Sequence, residues 1–341
     1  MSTIAISVNR KEIITRTGEI IGYKSGLGLN KEEFDDIIPK EYHGIWFGPQ
    51  ESYLRLYPEE FEGLIEELLY RLGNIDSLSS GLFTMHIRNK YIHNAKKSAL
   101  LNEVFPYFHK MLKNVNTTVE QGKNPDKAMQ PILTEVISKY DKEGFDLILE
   151  LITGFNNHLH KSPWTSIRQT QWEDIAKLND LFTSENLKTQ YGTFIDQRYI
   201  DYIRANFDAK IGSIHWRKFE GLTAEFFERQ GYFVEIGPGR ADGGVDVRAW
   251  KEDPKLAGPP TILIQCKRQK NTVEQTIVKA LYADVLYEKA EKGLIVTSSS
   301  FSPGSKTVCL TREYPVSEAN RETLRSWVEV MRKPNTGIWS L

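Results

Sequence analysis

The stretch Thr261-Ile-Leu-Ile-Gln-Cys-Lys267 decides the fold. Its centre is apolar and its end is polar, the pattern of a buried central strand that delivers side chains to a site at its tip. Alternation along a strand puts Gln265 and Lys267 on one face and Cys266 on the other, so the amide and the ammonium share a pocket while the thiol packs. Reading outward, helix is expected at 216–230, strands at 232–236, 244–250 and 261–268, a helix at 273–290, a strand at 293–298 and helices beyond it. Helix, three strands, helix and strand make an α/β order, a mixed central sheet flanked by helices.

Asp246 falls on the strand before this run, behind Gly243-Gly244, glycines that let the backbone turn tightly or approach another group. Two adjacent strand ends would bring its carboxylate beside Gln265. Carboxylate and amide oxygens are hard ligands suited to Mg²⁺, which keeps several waters and meets phosphate oxygens at its remaining positions. An ammonium such as Lys267 orients an attacking water or stabilises developing negative charge, and phosphodiester hydrolysis requires both kinds of group. Taken singly, Asp246 reads as a turn cap, Glu220 as a solvated helix residue and Lys267 as a strand end; taken together they form a site.

Five segments, in order, carry a resemblance: Phe219-Glu220 in a helix, Gly231-Tyr-Phe-Val234, Asp242-Gly-Gly-Val-Asp246, Gln265-Cys-Lys267, and Gly293-Leu-Ile-Val-Thr297-Ser-Ser-Ser-Phe-Ser302. Over about residues 215–330 the chain resembles the catalytic domain of Mrr-type restriction endonucleases, within the PD-(D/E)xK nuclease superfamily. The resemblance implies a restriction-endonuclease-like domain that cuts DNA, in restriction or antiphage defence. Asp246 would be the metal-binding aspartate, Gln265 the second ligand, Lys267 the catalytic lysine and Glu220 the helix glutamate that assists the metal. Gln265 departs from the acidic residue of the broader superfamily, so metal affinity would lean on Glu220, Asp246 and substrate phosphate. Mg²⁺ is the implied ion, with Mn²⁺ as a substitute. Ser298, Ser299 and Ser300 read as a strand-end turn, with donation to DNA phosphates as the alternative. Cutting both strands would call for a homodimer or larger homo-oligomer. A defence-system partner or an activating ligand is a further expectation.

The rest of the chain reads differently. At 341 residues the length favours two domains, and 40% hydrophobic with 26% charged residues is the balance of a globular chain with a sizeable core. Runs at Ile4–Val8, Glu12–Thr15 and Glu19–Tyr23 suggest a short β-rich, hairpin-like start. From Pro58 the period becomes helical, with Phe61, Leu64, Ile65, Leu68 and Leu69 on one face, and further helices are expected at about 97–115, 126–141, 143–160 and 171–182. The division is therefore a mainly helical recognition or assembly domain over 1–205 and a nuclease domain over 212–341.

Charge excludes little. The net charge is −1, and from His215 onward 19 basic face 16 acidic residues, which permits phosphate contact without demanding it. Two cysteines, Cys266 and Cys309, show no zinc-type spacing. No stretch approaches the roughly 20 apolar residues that cross a bilayer, and the Met-Ser-Thr start lacks the regions of a secretory signal, so a cytoplasmic protein without membrane contact is expected. In the helical part, Arg88-Asn89-Lys-Tyr-Ile-His93 has the Arg-Asn-x-x-x-His form of HEPN ribonucleases, which offers an alternative centre on Arg88 and His93 near one helical face. A non-catalytic nucleic-acid-binding scaffold is the other alternative. His158 and His160 lack metal-ligand neighbours and read as surface.

Overall fold

The computed structural model describes residues 4–78, 83–122, 124, 126–239 and 244–332. Strand β1 (Ile6–Asn9) leads into helix α1 (Arg10–Ser25), where the expected hairpin would have lain. The β-branched runs mislead because their buried members, Ile13, Thr17, Ile20 and Ile21, recur at helical spacing. Asn9 caps the helix by accepting from the Lys11 N–H, and Gly26, at φ 70°, ends it in the left-handed region that glycine enters freely.

Short pieces follow: β2 (Leu27–Gly28), α2 (Lys31–Ile37), α3 (His43–Trp46) and β3 (Tyr53–Leu56), which pairs antiparallel with β1. Helix α4 (Pro58–Arg71) buries the five apolar residues of its expected face. Helices α5 (Phe83–Lys90), α6 (Ala95–Glu120) and α7 (Asp126–Lys161) enclose a core of their own, centred on Val104, Phe108, Met111, Ile148 and Leu151. Helix α7 breaks at Asp141, whose φ is 51°.

The helix expected at 171–182 is replaced by β4 (Ala176–Lys177) and the short α8 (Asp180–Thr183). The Ala176 and Leu178 N–H groups donate to the carbonyls of Gly26 and Gly28, a tertiary pairing that takes the donors a helix would have used. Helices α9 (Gln197–Ala205) and α10 (Phe207–Lys210) then lead into the C-terminal region.

That region runs α11 (Trp216–Arg229), β5 (Phe233–Ile236), β6 (Val247–Trp250), α12 (Pro254–Ala257), β7 (Ile262–Lys267), α13 (Gln275–Glu288), β8 (Lys292–Thr297), α14 (Pro303–Thr311), β9 (Val316–Ala319) and α15 (Arg321–Val330). The sheet order is β5-β6-β7-β8-β9, with antiparallel pairs up to β7 and parallel pairs after it. The decisive stretch is thus the middle strand of a mixed sheet. Strand β9 has no counterpart in the sequence reading, which expected only helices there.

Each face of β7 enters a different core. Ile262 and Ile264 join a large cluster with Phe219 and Leu222 of α11, Leu324 of α15, and Ile21, Leu64 and Ile200 of the N-terminal helices. Leu263 joins a smaller one with Val278, Leu281 and Val285 of α13. The large cluster continues across residues 205–212, where the sequence suggested a junction.

Candidate active site

Helix α11 starts on His215, whose Nδ1 accepts the Arg217 N–H at 3.2 Å. Its buried face mixes Phe219 and Leu222 with two carboxylates, Glu220 and Glu225. Glu225 Oε2 accepts the backbone N–H groups of Thr193, Phe194 and Ile195 at 2.8, 2.7 and 3.4 Å, and Oε1 pairs with Arg229 at 2.8 Å. These bonds bolt the helix to the segment before α9. Glu220, only 5% exposed, turns toward the sheet and accepts from Arg217 Nη1 at 2.7 Å.

Asp246 sits immediately ahead of β6, and backbone bonds hold it there. Its N–H donates to the Ile264 carbonyl at 2.9 Å, its carbonyl accepts from Gly237 at 2.8 Å, and its Oδ2 accepts the Cys266 N–H at 2.6 Å. Asp246 is therefore bonded to both chain neighbours of Gln265. Its carboxylate also shares a hydrogen bond with Glu220. Burial, and then the Asp246 charge, push the Glu220 carboxyl up to about 8 against the pull of Arg217. Two carboxylates in a dry site cannot both ionise without a compensating cation.

Gln265 is 6% exposed, and its buried Oε1 has no hydrogen-bond donor among the described residues. A buried amide oxygen left bare costs about 1–3 kcal/mol, so this atom is suited to a cation. Gly244 lies against the same amide: at φ 97°, a Cβ there would stand 3.0 Å from Gln265 Nε2. Asp242 and Gly243 of the motif lie outside the described residues.

Cys266 packs as expected. Its Sγ reaches Thr223 Oγ1 of α11 at 3.5 Å, and burial, with Asp246 nearby, holds the thiol well above its ordinary pKa. The same alternation separates Cys266 from Gln265 and Lys267. Cys266 faces α11, the side from which Glu220 reaches Asp246, while Gln265 and Lys267 share the opposite face with Leu263. Asp246 links the two strands' ends to the helix: it shares a hydrogen bond with Glu220 and is bonded to the residues on either side of Gln265.

Beyond Lys267 the chain is laced to the end of β8. Thr297 Oγ1 donates to the Lys267 carbonyl at 2.9 Å, Ser298 Oγ to the Gln269 carbonyl at 3.0 Å and Ser299 Oγ to the Asn271 carbonyl at 2.7 Å. Ser298 and Ser299 thus serve the strand-end turn, and their hydroxyl protons are engaged by protein. Arg217 was not singled out by the sequence, although its three-residue spacing to Glu220 on one helix was a readable signal.

Elsewhere, α5 ends at Lys90, so Arg88 and His93 do not share a helical face. Arg88 is exposed with its guanidinium 5.1 Å from the Phe105 ring centroid, and His93 is exposed in the turn beyond the helix. His160 is fully buried, not surface: its Nε2 bonds Asn74 Oδ1 at 2.6 Å and its Nδ1 accepts the Gln169 N–H at 3.2 Å. No described helix is long and apolar enough to cross a membrane. Among the described residues, no group of three His, Cys, Asp or Glu side chains is placed to hold a metal. A cation here would rest on two carboxylates and an amide oxygen.

The fold and site define a class, and comparison with known proteins agrees with it. Residues 211–328 match the family model described as Restriction endonuclease, which bears out the resemblance read over about 215–330. The C-terminal region has a restriction-endonuclease-like fold. A curated relative, the uncharacterized protein y4cE of Sinorhizobium fredii (strain NBRC 101917 / NGR234), is 24% identical over 128 residues, 37% of this chain and 33% of that protein. The chain thus spans about a third of the length of the curated relative it matches. Among solved structures, the MspJI restriction endonuclease in complex with a 27-mer oligonucleotide is similar at 20% identity and a TM-score of 0.29, over 53% of this chain and 42% of that one.

Proposed function

We propose that this protein is a divalent-metal-dependent DNA endonuclease that hydrolyses phosphodiester bonds, with Mg²⁺ as its ion and Mn²⁺ as a substitute. The observation that carries the reading is the Glu220–Asp246 carboxylate pair beside the donorless amide oxygen of Gln265, inside the region that matches the restriction endonuclease model. Asp246, Gln265 and Glu220 are the residues that would hold the cation. When bound, such an ion polarises the scissile phosphate and acidifies a water. Lys267 orients the attacking water or stabilises negative charge on the phosphate oxygens. Arg217 offsets the Glu220 charge while the site is empty of substrate. Residues 1–205 serve recognition or assembly, residues 212–341 carry the chemistry, and two copies supply one centre to each DNA strand. The cytoplasmic setting and a role in restriction or antiphage defence belong to the same reading.

The test is cleavage of modified and unmodified duplex DNA with Mg²⁺, Mn²⁺ or EDTA. Wild type should cut only with metal, Asp246→Ala should not cut, and Lys267→Ala should be slower by about 100-fold or more. Undiminished cutting by Asp246→Ala, or a wild type that binds DNA and never cuts it, would refute the assignment.

A further inference from the structure

A second polar cleft lies away from the nuclease centre, between the segment that carries β4, the loop before α9, and α11. It has a volume of about 450 Å³, within the range of small-molecule sites, and its walls include Lys177, Asp180, Lys188, Asp196, Arg198 and Lys218. Most of the frame is rigid. Arg198 grips Asp196 with two bonds of 2.7 and 2.8 Å and reaches Asp174 Oδ1 at 2.9 Å, while Thr189 Oγ1 donates to Asp196 Oδ2 at 2.8 Å. The guanidinium lies 5.2 and 4.9 Å from the ring centroids of Trp172 and Tyr191, which meet edge to face. Those three groups, one guanidinium and two carboxylates, leave one negative charge over.

Lys218 does not fit that accounting. Its side chain is buried, 5% exposed, and its ammonium makes one hydrogen bond, to the Asn186 carbonyl, with the Tyr199 ring at 5.3 Å. No carboxylate pairs with it among the described residues. A buried ammonium with one acceptor out of three costs stability, and an apolar side chain of the same length would serve packing better. Lys177 and Lys188 stand at the rim, both exposed and without ion pairs among the described residues. With Arg198 set against Asp174 and Asp196, the three lysines bring the walls to four cations against three carboxylates, the third being Asp180.

We propose that this cleft binds a small phosphorylated ligand of nucleotide size, its phosphates on Lys177, Lys188 and Lys218. Three ammonium groups converging on one cleft suit a multiply charged anion better than a single carboxylate, because each can donate without a fixed plane. Asp180 is left to accept from ligand hydroxyls. A volume of about 450 Å³ is that of a small-molecule site, which favours a small molecule over a nucleic-acid strand. The inference is independent of the nuclease assignment, since Lys218 is the only wall residue named here that lies within the matched region.

Titration calorimetry of the full chain in EDTA, with pyrophosphate and with ADP as probes, tests it. Saturable binding of one equivalent is expected, weakened about tenfold or more by the surface double variant Lys177→Ala/Lys188→Ala. Lys218→Met should lose binding while its melting temperature holds or rises, which a purely structural lysine would not allow. Asp246→Ala should bind as wild type does. Failure of both probes to bind, or equal affinity in the double variant, would overturn the proposal. Loss of binding in Asp246→Ala would place the phosphate in the nuclease centre instead and overturn it too. A DNA strand that depends on Lys177 and Lys188 when neither probe binds would make the cleft a nucleic-acid surface, against the small-ligand reading.

Discussion

Gly244 shows how little freedom the site leaves a single residue. Its φ of 97° is a conformation that side-chain-bearing residues rarely adopt, and the space where a Cβ would stand is held by the Gln265 amide. Gly244→Ala is expected to cost about 1–3 kcal/mol of stability, read from the urea midpoint, and to displace Gln265. A variant as stable as wild type would show that the turn relaxes without strain. The glycine's neighbour in space, Gln265 Oε1, is the reverse case. In a 6% exposed side chain it has no donor among the described residues, and a buried amide oxygen calls for a partner.

Among the elements, α11 is the one that the candidate site and the second cleft share. It carries Glu220 toward the sheet, Lys218 toward the second cleft, and Glu225 toward three successive backbone N–H groups before α9. Charge-assisted bonds of this kind are worth about 1.5–3 kcal/mol each before the cost of burying the ion. Glu225→Gln keeps the size and removes the charge, and should lower stability by about 2–4 kcal/mol in chemical denaturation. A loss under half a kilocalorie would mean that the nest of N–H groups does not anchor the helix. Helix α1 makes a related point about sequence. Its isoleucines favour a strand by type, yet their spacing, with Asn9 and Gly26 at the two ends, specifies a helix.

For the molecule as a whole, two cores must stay together. The α5–α7 core meets the large one at the end of α7. There Lys24 Nζ donates to the Leu159, His160 and Ile167 carbonyls at 3.3, 2.6 and 3.1 Å, and Lys161 pairs with Glu66 at 3.0 Å. His160 is locked between an acceptor, Asn74, and a donor, the Gln169 N–H, a fit only for the neutral ring. Burial, with Lys24 and Lys161 close by, depresses its pKa to about 3 from an ordinary 6.5. The unfolded chain therefore binds this proton first. The stability His160 contributes is complete above about pH 6.5 and declines by about 1.4 kcal/mol per unit as pH falls toward 3. Urea midpoints at pH 7.5 and 5 should differ accordingly, and His160→Gln should flatten the difference. An unchanged slope in the variant would assign the acid sensitivity to other groups.

The sequence alone determined the central strand, because an apolar run ending in polar groups has few other uses. It also determined the helix-strand order around that strand and the likeness of residues 215–330 to a nuclease domain, since both depend on local spacing and on segment order. Of the β-rich start the first run became β1, while the later two failed because residue type and residue period disagreed, and the helix at 171–182 failed because its N–H groups pair with Gly26 and Gly28, far away in the chain. Tertiary structure alone decided that Glu220 meets Asp246 and that His160 is buried. These facts depend on which faces of distant elements pack together, and packing between distant elements leaves no period in the chain.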